Sequence, residues 1–214
     1  MKKAIILLVL VALISAGAFG QMKFGAGFLF DYNANNGLKS DTFKSGLINT
    51  SLGGFLFFDI SYLEINASFA HGKIKPYLKG TGAPESVIFD ELTFLQLELS
   101  IFGKFPINLG KIILFPMAGA GFNMVLSAKD KNGNSLYEGN YSSSAPALKD
   151  YSQFGLLAGV GFDVPFTARL FLRTEALFHF RFPNRLTKDL AEKEIFNTTY
   201  GVGPRIKVGI GYMF

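Results

Sequence analysis

Apolar and polar residues alternate with a period of two along most of this chain. The end shows it most plainly: Ile206, Val208, Ile210, Tyr212 and Phe214 are apolar, with Lys207, Gly209 and Gly211 between them. A period of two places one apolar and one polar or small face on a β-strand. The same alternation recurs upstream. Phe24, Ala26, Phe28 and Phe30 oppose Lys23, Gly25, Gly27 and Asp31 within a strand predicted over Met22–Asp31. Further strands are predicted over Leu47–Phe58, Tyr62–His71, Val87–Gly103, Lys111–Leu126, Tyr151–Val164 and Ala168–Phe182, and the last one ends the chain. Leu47–Phe58 alternates imperfectly, because Gly53–Gly54 interrupts it and Phe follows on both faces; a bulge or bend is expected there. Pro116 cannot donate a ladder hydrogen bond and is expected near a strand end or a bulge.

Between these strands lie the polar stretches Tyr32–Ser45, Gly72–Ser86, Ser127–Asp150 and Pro183–Tyr200, the last with a helical turn expected around Asp189–Ile195. They alternate with tight turns at Asp59–Ser61, Lys104–Gly110 and Pro165–Thr167. Eight strands joined by alternating long and short connections describe an up-and-down barrel. When such a barrel spans a bacterial outer membrane, the short turns and both termini lie in the periplasm and the long loops lie outside.

The first residues pair a charged start, Met1–Lys2–Lys3, with an apolar run from Ala4 to Ile14 and small residues at Ala18–Phe19–Gly20. This predicts a secretory signal peptide over residues 1–20, cut before Gln21, and a barrel domain over 21–214. Cleavage after Ala18 is the alternative. The apolar run is shorter than the ~20 residues that a helical span needs. With Lys2 and Lys3 removed, 19 basic residues face 16 acidic ones, a bias too weak to argue for nucleic acid. The chain has no Cys, yet 49% of it is hydrophobic, with 24 Phe and 24 Gly. Past the leader no run of ~20 apolar residues remains, so lipid contact would be made by strands rather than by a helix.

The terminus carries a more specific pattern. Lys207, Gly209, Tyr212 and Phe214 match the signal that ends bacterial outer-membrane barrels: a polar residue, Gly two places on, an aromatic three further, and a terminal Phe. The mature chain resembles the small eight-stranded OmpA/OmpX-like barrels in pattern, strand count and terminus. That resemblance implies an all-β, eight-stranded antiparallel transmembrane β-barrel in the outer membrane. It also implies that the barrel assembly machinery reads the last strand. Trp is absent, so the interfacial girdle is assigned to Tyr32, Tyr62, Tyr141, Tyr151, Tyr212 and Phe214. A soluble lipocalin-type barrel would show the same alternation with its faces reversed.

Opposite the apolar face stand Lys23, Glu64, Glu98, Asp163, Arg169, Arg173, Glu175, Arg181, Arg205 and Lys207. Eight strands leave an interior that side chains can fill. Glu64, Glu98, Arg173 and Glu175 are expected to meet across it, with glycines at 25, 27, 119, 121, 155, 159, 161, 209 and 211 making room for side chains from opposite strands. Such a network plugs the lumen or gates it.

Little in the sequence points to chemistry. No catalytic, cofactor-binding or metal-binding residue is assigned. His71 and His179 have no companions at ligand spacing, and Gly119–Ala120–Gly121 and Gly159–Val160–Gly161 read as strand glycines. His71 with Ser68 or Ser86 makes no defined triad. The expectation is a non-catalytic outer-membrane protein with a structural or surface-interaction role, a monomer whose partners are lipid and an extracellular ligand at the loops. A small channel or uptake protein is the alternative, and a lipid-modifying enzyme the third. Lys39, Lys44, Lys73, Lys75, Lys79, Lys129, Lys131 and Lys149 fall in the predicted loops and suit lipid headgroups or an acidic ligand.

Overall fold

The computed structural model describes residues 22–36, 43–80, 91–129, 132–133, 152–182 and 201–214. The predicted signal peptide, the predicted helical turn, Tyr141 and Tyr151 therefore lie outside the described residues. The described chain forms β1 Met22–Asn36, β2 Phe43–Ile60, β3 Leu63–Gly80, β4 Leu92–Lys104, the two-residue β5 Ile107–Asn108, β6 Ile113–Lys129, β7 Gln153–Pro165, β8 Leu170–Arg181 and β9 Gly201–Met213.

Every pairing is antiparallel between neighbours. β1 pairs with β9 and β4 with β6, so the eight long strands close on themselves and β5 remains a rung inside the β4–β6 turn. Closure matters because it leaves none of the eight long strands as an edge strand of the barrel wall. Both ends of the described chain and the three short connections share one end of the barrel, called here the turn end. In the β7–β8 turn, Thr167 Oγ1 accepts the Arg169 and Leu170 N–H groups at 3.3 and 2.9 Å.

Alternation places the apolar face outside. Phe28 is 78% exposed and Leu52 65%, and Leu56, Phe69, Leu99, Phe178, Ile206 and Ile210 are likewise exposed. Their neighbours Asp31, Glu64, Glu98, Asp163, Arg173, Glu175, Arg205 and Lys207 are buried in the lumen. A barrel with apolar residues outside and charges inside is matched to lipid and mismatched to water, so the reversed lipocalin arrangement does not hold. At the turn end the outward belt becomes aromatic. Phe24, Tyr212 and Phe214 pack with ring centroids 5.3–6.0 Å apart, and Tyr62 lies 6.4 Å from Phe105.

Several expectations need correcting. β2 passes through Gly53–Gly54 with no shift of register, and Phe55 and Phe57 are the inward residues of a regular strand. The one shift recorded among the described pairings lies elsewhere. Leu95 faces Ser127 while Gln96 faces Val125, which leaves Leu126 as an extra residue in β6. Pro116 sits near the start of β6, faces outward, and accepts the Phe105 N–H through its carbonyl at 3.0 Å. The stretches read as loops after β1 and β3 are partly strand: β2 begins at Phe43 and β3 continues to Gly80, so Lys44, Lys73, Lys75 and Lys79 lie on strands. With 18 residues each, β2 and β3 exceed the ~9–11 that cross a bilayer. Their ends away from the Ile60–Leu63 turn therefore extend beyond the lipid-facing band.

The inward glycines have a specific use. Gly25 is paired directly with Phe57, Gly27 with Phe55, Gly72 with Phe94, Gly119 with Phe102, Gly161 with Phe115 and Gly211 with Phe171. At each of these glycines a Cβ would overlap the paired ring. The room thus serves a phenyl ring on the adjacent strand, rather than a side chain reaching from the far wall as expected. Five of these six rings, all but Phe94, gather into two apolar clusters: Leu29, Phe55, Phe57, Ala70 and Phe171, and Phe102, Phe115, Met117, Leu157 and Leu177.

Two outcomes follow. Leu97→Arg, at a lipid-facing position, lowers stability in lipid by about 2–4 kcal/mol, whereas Leu63→Arg near the turn end costs about 0–1; urea titration of vesicle-embedded protein reads both. Gly161→Ala forces the Phe115 ring aside and costs about 1–3 kcal/mol by overpacking, while Gly54→Ala, whose Cβ meets only the Gly27 carbonyl oxygen at 3.5 Å, is close to neutral in the same titration.

Candidate functional site

The charged lumen is the candidate site. Its occupants follow from strand parity, since every second residue of each long strand points inward. Six cations, Lys23, Lys104, Arg173, Arg181, Arg205 and Lys207, face six carboxylates, Asp31, Asp59, Glu64, Glu98, Asp163 and Glu175. They divide into three groups, each balanced in charge.

The group nearest the turn end is built on Arg173 of β8. Its Nε and Nη2 donate to the two oxygens of Asp163 at 2.7 and 2.8 Å, a bidentate fork. Nη1 donates to Glu64 Oε2 and Nη2 to Asp59 Oδ2, each at 2.7 Å. Lys104 donates to Asp59 and, at 3.2 Å, to Glu64, and Lys23 donates to Asp163 at 2.8 Å. Arg173 also lies over rings: its guanidinium carbon is 4.2 Å from the Phe57 centroid, 5.0 Å from Phe115 and 5.3 Å from Phe171. Three of these rings' glycine partners, Gly25, Gly161 and Gly211, let the phenyls settle low enough for the guanidinium to sit among them.

In the middle, Lys207 Nζ lies 3.3 Å from Glu175 Oε2 and 5.1 and 5.2 Å from the rings of Phe55 and Phe102. Above it, Arg205 donates through Nη1 and Nη2 to Glu98, the second bond at 2.8 Å, and through Nη2 to Asp31 at 2.8 Å. Arg181 also donates to Asp31. His179 Nδ1 accepts from Arg181 Nε at 3.4 Å and lies 3.1 Å from Arg205 Nη2. Nε2 packs onto Gly155. Higher still, Asn123 Nδ2 donates to Gln96 Oε1 at 2.6 Å and Gln96 Nε2 to Ser51 Oγ at 3.3 Å.

Of the four charges expected to meet, Arg173 and Glu64 do. Glu175 pairs with Lys207 and also meets Glu64, which joins the middle group to the turn-end group, whereas Glu98 instead pairs with Arg205. Arg169 does not face the lumen; it is exposed in the β7–β8 turn and donates to the Tyr212 hydroxyl at 2.8 Å. Asp59 and Lys104 were assigned to turns, yet both are buried and central. Parity would have found them: Asp59 continues Ser51, Gly53, Phe55 and Phe57, and Lys104 continues Gln96, Glu98, Ser100 and Phe102. At the terminus, Lys207 and Gly209 face the lumen, while Tyr212 and Phe214 join the aromatic belt.

The chemistry available here is limited. His179 is buried with its Nδ1 against two guanidiniums, and His71 faces outward from β3. Among the described residues no three His, Cys, Asp or Glu side chains could hold a metal ion. On the outer face, Lys73 and Lys75 donate to Glu91 at 2.6 and 2.8 Å, and these bonds hold the Glu91 carboxyl below its ordinary value.

No family model matches the chain, and no curated protein matches it in sequence. Solved structures do match. Neisserial surface protein A is 12% identical over 90% of this chain and 97% of its own, with a TM-score of 0.47. Ail, the attachment invasion locus protein of Yersinia pestis, is 16% identical over 91% and 99%, with a TM-score of 0.42. The N-terminal β-barrel domain of Pseudomonas aeruginosa OprF is 11% identical over 91% and 98%, also at 0.42. Likeness at this level carries no role from one protein to another.

Breaking the turn-end group is expected to be costly. Arg173→Met leaves Asp59, Glu64 and Asp163 facing only Lys104 and Lys23, and lowers stability by about 3–5 kcal/mol. Arg173→Lys recovers little of that, because an ammonium cannot span three carboxylates in one plane. Urea midpoints of both variants in lipid vesicles test this.

Proposed function

We propose that this protein is an integral outer-membrane barrel with a closed, side-chain-filled lumen, acting in envelope structure or surface interaction without catalysis. The observation that carries this reading is the pairing of six lumen cations with six lumen carboxylates in three balanced groups, interleaved with phenyl rings. A permeation path lined by fixed charge needs groups that face water. Here the charges face one another at 2.7–3.3 Å or closer, and phenyl rings pack against Arg173 and Lys207.

The outward apolar face supports a membrane setting, and the terminal Lys207, Gly209, Tyr212 and Phe214 support recognition by the barrel assembly machinery of an outer membrane. With the turn end in the periplasm, the far ends of β2 and β3 and the four longer connections stand outside the cell. Contact with an extracellular ligand would be made there. Support for the non-catalytic reading comes from His179, which is buried and whose Nδ1 faces the guanidiniums of Arg181 and Arg205.

Planar-bilayer recording of the refolded protein tests the closed lumen. The reading predicts no steady single-channel steps from the wild type. Regular ion steps from the wild type would favour a small channel instead.

A further inference from the structure

On the outer wall of β1–β4 there is an apolar groove of about 380 Å³ lined by Ala26, Gly54, Leu56, Ala67, Phe69 and Leu97. It exists because small residues fall at adjacent outward positions. Gly54 is paired with Phe28 on one side and Phe69 on the other, and Leu56 with Ala26 and Ala67. Where Gly54 lacks a side chain and the two alanines are short, the tall Phe69, Leu56 and Leu97 make walls.

A second feature sits above it on the same strands. Beyond Phe69, β3 presents His71, Lys73 and Lys75 outward, all exposed. Across the sheet Lys73 is paired with Thr93 of β4, and Thr93 with Lys129 of β6, also exposed. Glu91 bridges Lys73 and Lys75, so among the described residues three lysines and one carboxylate leave the patch with two positive charges in excess. Lys73 lies four residues beyond Phe69 and six beyond Ala67, or about 13 and 20 Å along a strand. The latter is the length of a membrane acyl chain.

We propose that the β2–β3–β4 wall binds one anionic, phosphate-bearing lipid, with an acyl chain in the groove and its headgroup on Lys73, Lys75 and Lys129. The inference rests on the membrane-barrel reading above. Charge selects the occupant: a lipid with a neutral headgroup would gain the groove and nothing from the lysines, and a soluble anion would gain the lysines and nothing from the groove. A headgroup offering several anionic oxygens can reach the lysines while Glu91 stays between two of them.

Native mass spectrometry of the refolded mature chain, released from micelles holding equal amounts of phosphatidylglycerol and phosphatidylcholine of one chain length, tests the site. The wild type is expected to retain one phosphatidylglycerol with about tenfold preference over phosphatidylcholine. Lys73→Gln/Lys75→Gln/Lys129→Gln removes that preference. Gly54→Leu fills the groove and lowers retention of both lipids; its side chain points away from the barrel, so the fold tolerates it. Each variant is first confirmed as a closed barrel by its heat-shifted gel band. Equal retention of the two lipids by the wild type, or wild-type retention by either variant, overturns the proposal. Absence of any heat-shifted band from the wild type would overturn the membrane-barrel reading itself and this site with it.

Discussion

Arg173 donates hydrogen bonds to carboxylates from three other strands, Asp59, Glu64 and Asp163, and lies among the rings of Phe57, Phe115 and Phe171. A guanidinium in that position cannot be left unpaired, nor can the carboxylates around it. The constraint reaches outward from there. The rings that surround it need glycines opposite them, and this accounts for Gly25, Gly161 and Gly211. The carboxylates need further cations, and Lys23 and Lys104 supply them. The same logic repeats at Lys207–Glu175 and at Arg205 with Glu98 and Asp31.

Such a lumen specifies register as well as closure. Sliding any strand by one residue would send its charges into the outward face and its aliphatic residues into the lumen. In water that error is mild on the apolar side. In lipid each outward charge is penalised, so the environment and the lumen select the same register. The outer face carries a lighter set of constraints, and there the sequence varies height: Gly54 and two alanines beside Phe69 and Leu56 leave a groove, while the far ends of β3 and β6 above carry lysines.

The barrel was legible in the sequence because its two faces differ so strongly. Strand number, the alternation of long and short connections, and the facing of Glu64, Glu98, Arg173, Glu175 and Lys207 all follow from a period of two. Strand ends were less legible, since the far ends of β2 and β3 are rich in Lys, Gly and Ser and read like a loop. Gly53–Gly54 looked like a break because two adjacent glycines remove the pattern, although each occupies its proper face. The pairing of the charges was not legible. Which inward residues meet depends on how far each strand is staggered around the barrel, and local periodicity does not contain that. Glu98 therefore finds Arg205, and Glu175 finds Lys207, rather than Arg173.

The central claim is that the apolar face meets lipid and the charged face meets itself. The chain has no native cysteine, so single cysteines can be placed along β9 from Arg205 to Ile210 and spin-labelled after refolding into vesicles. Power saturation by oxygen, which concentrates in lipid, is predicted to be high at 206, 208 and 210 and low at 205, 207 and 209. The opposite phase, or high access of a water-soluble nickel chelate at the even positions, would contradict the account.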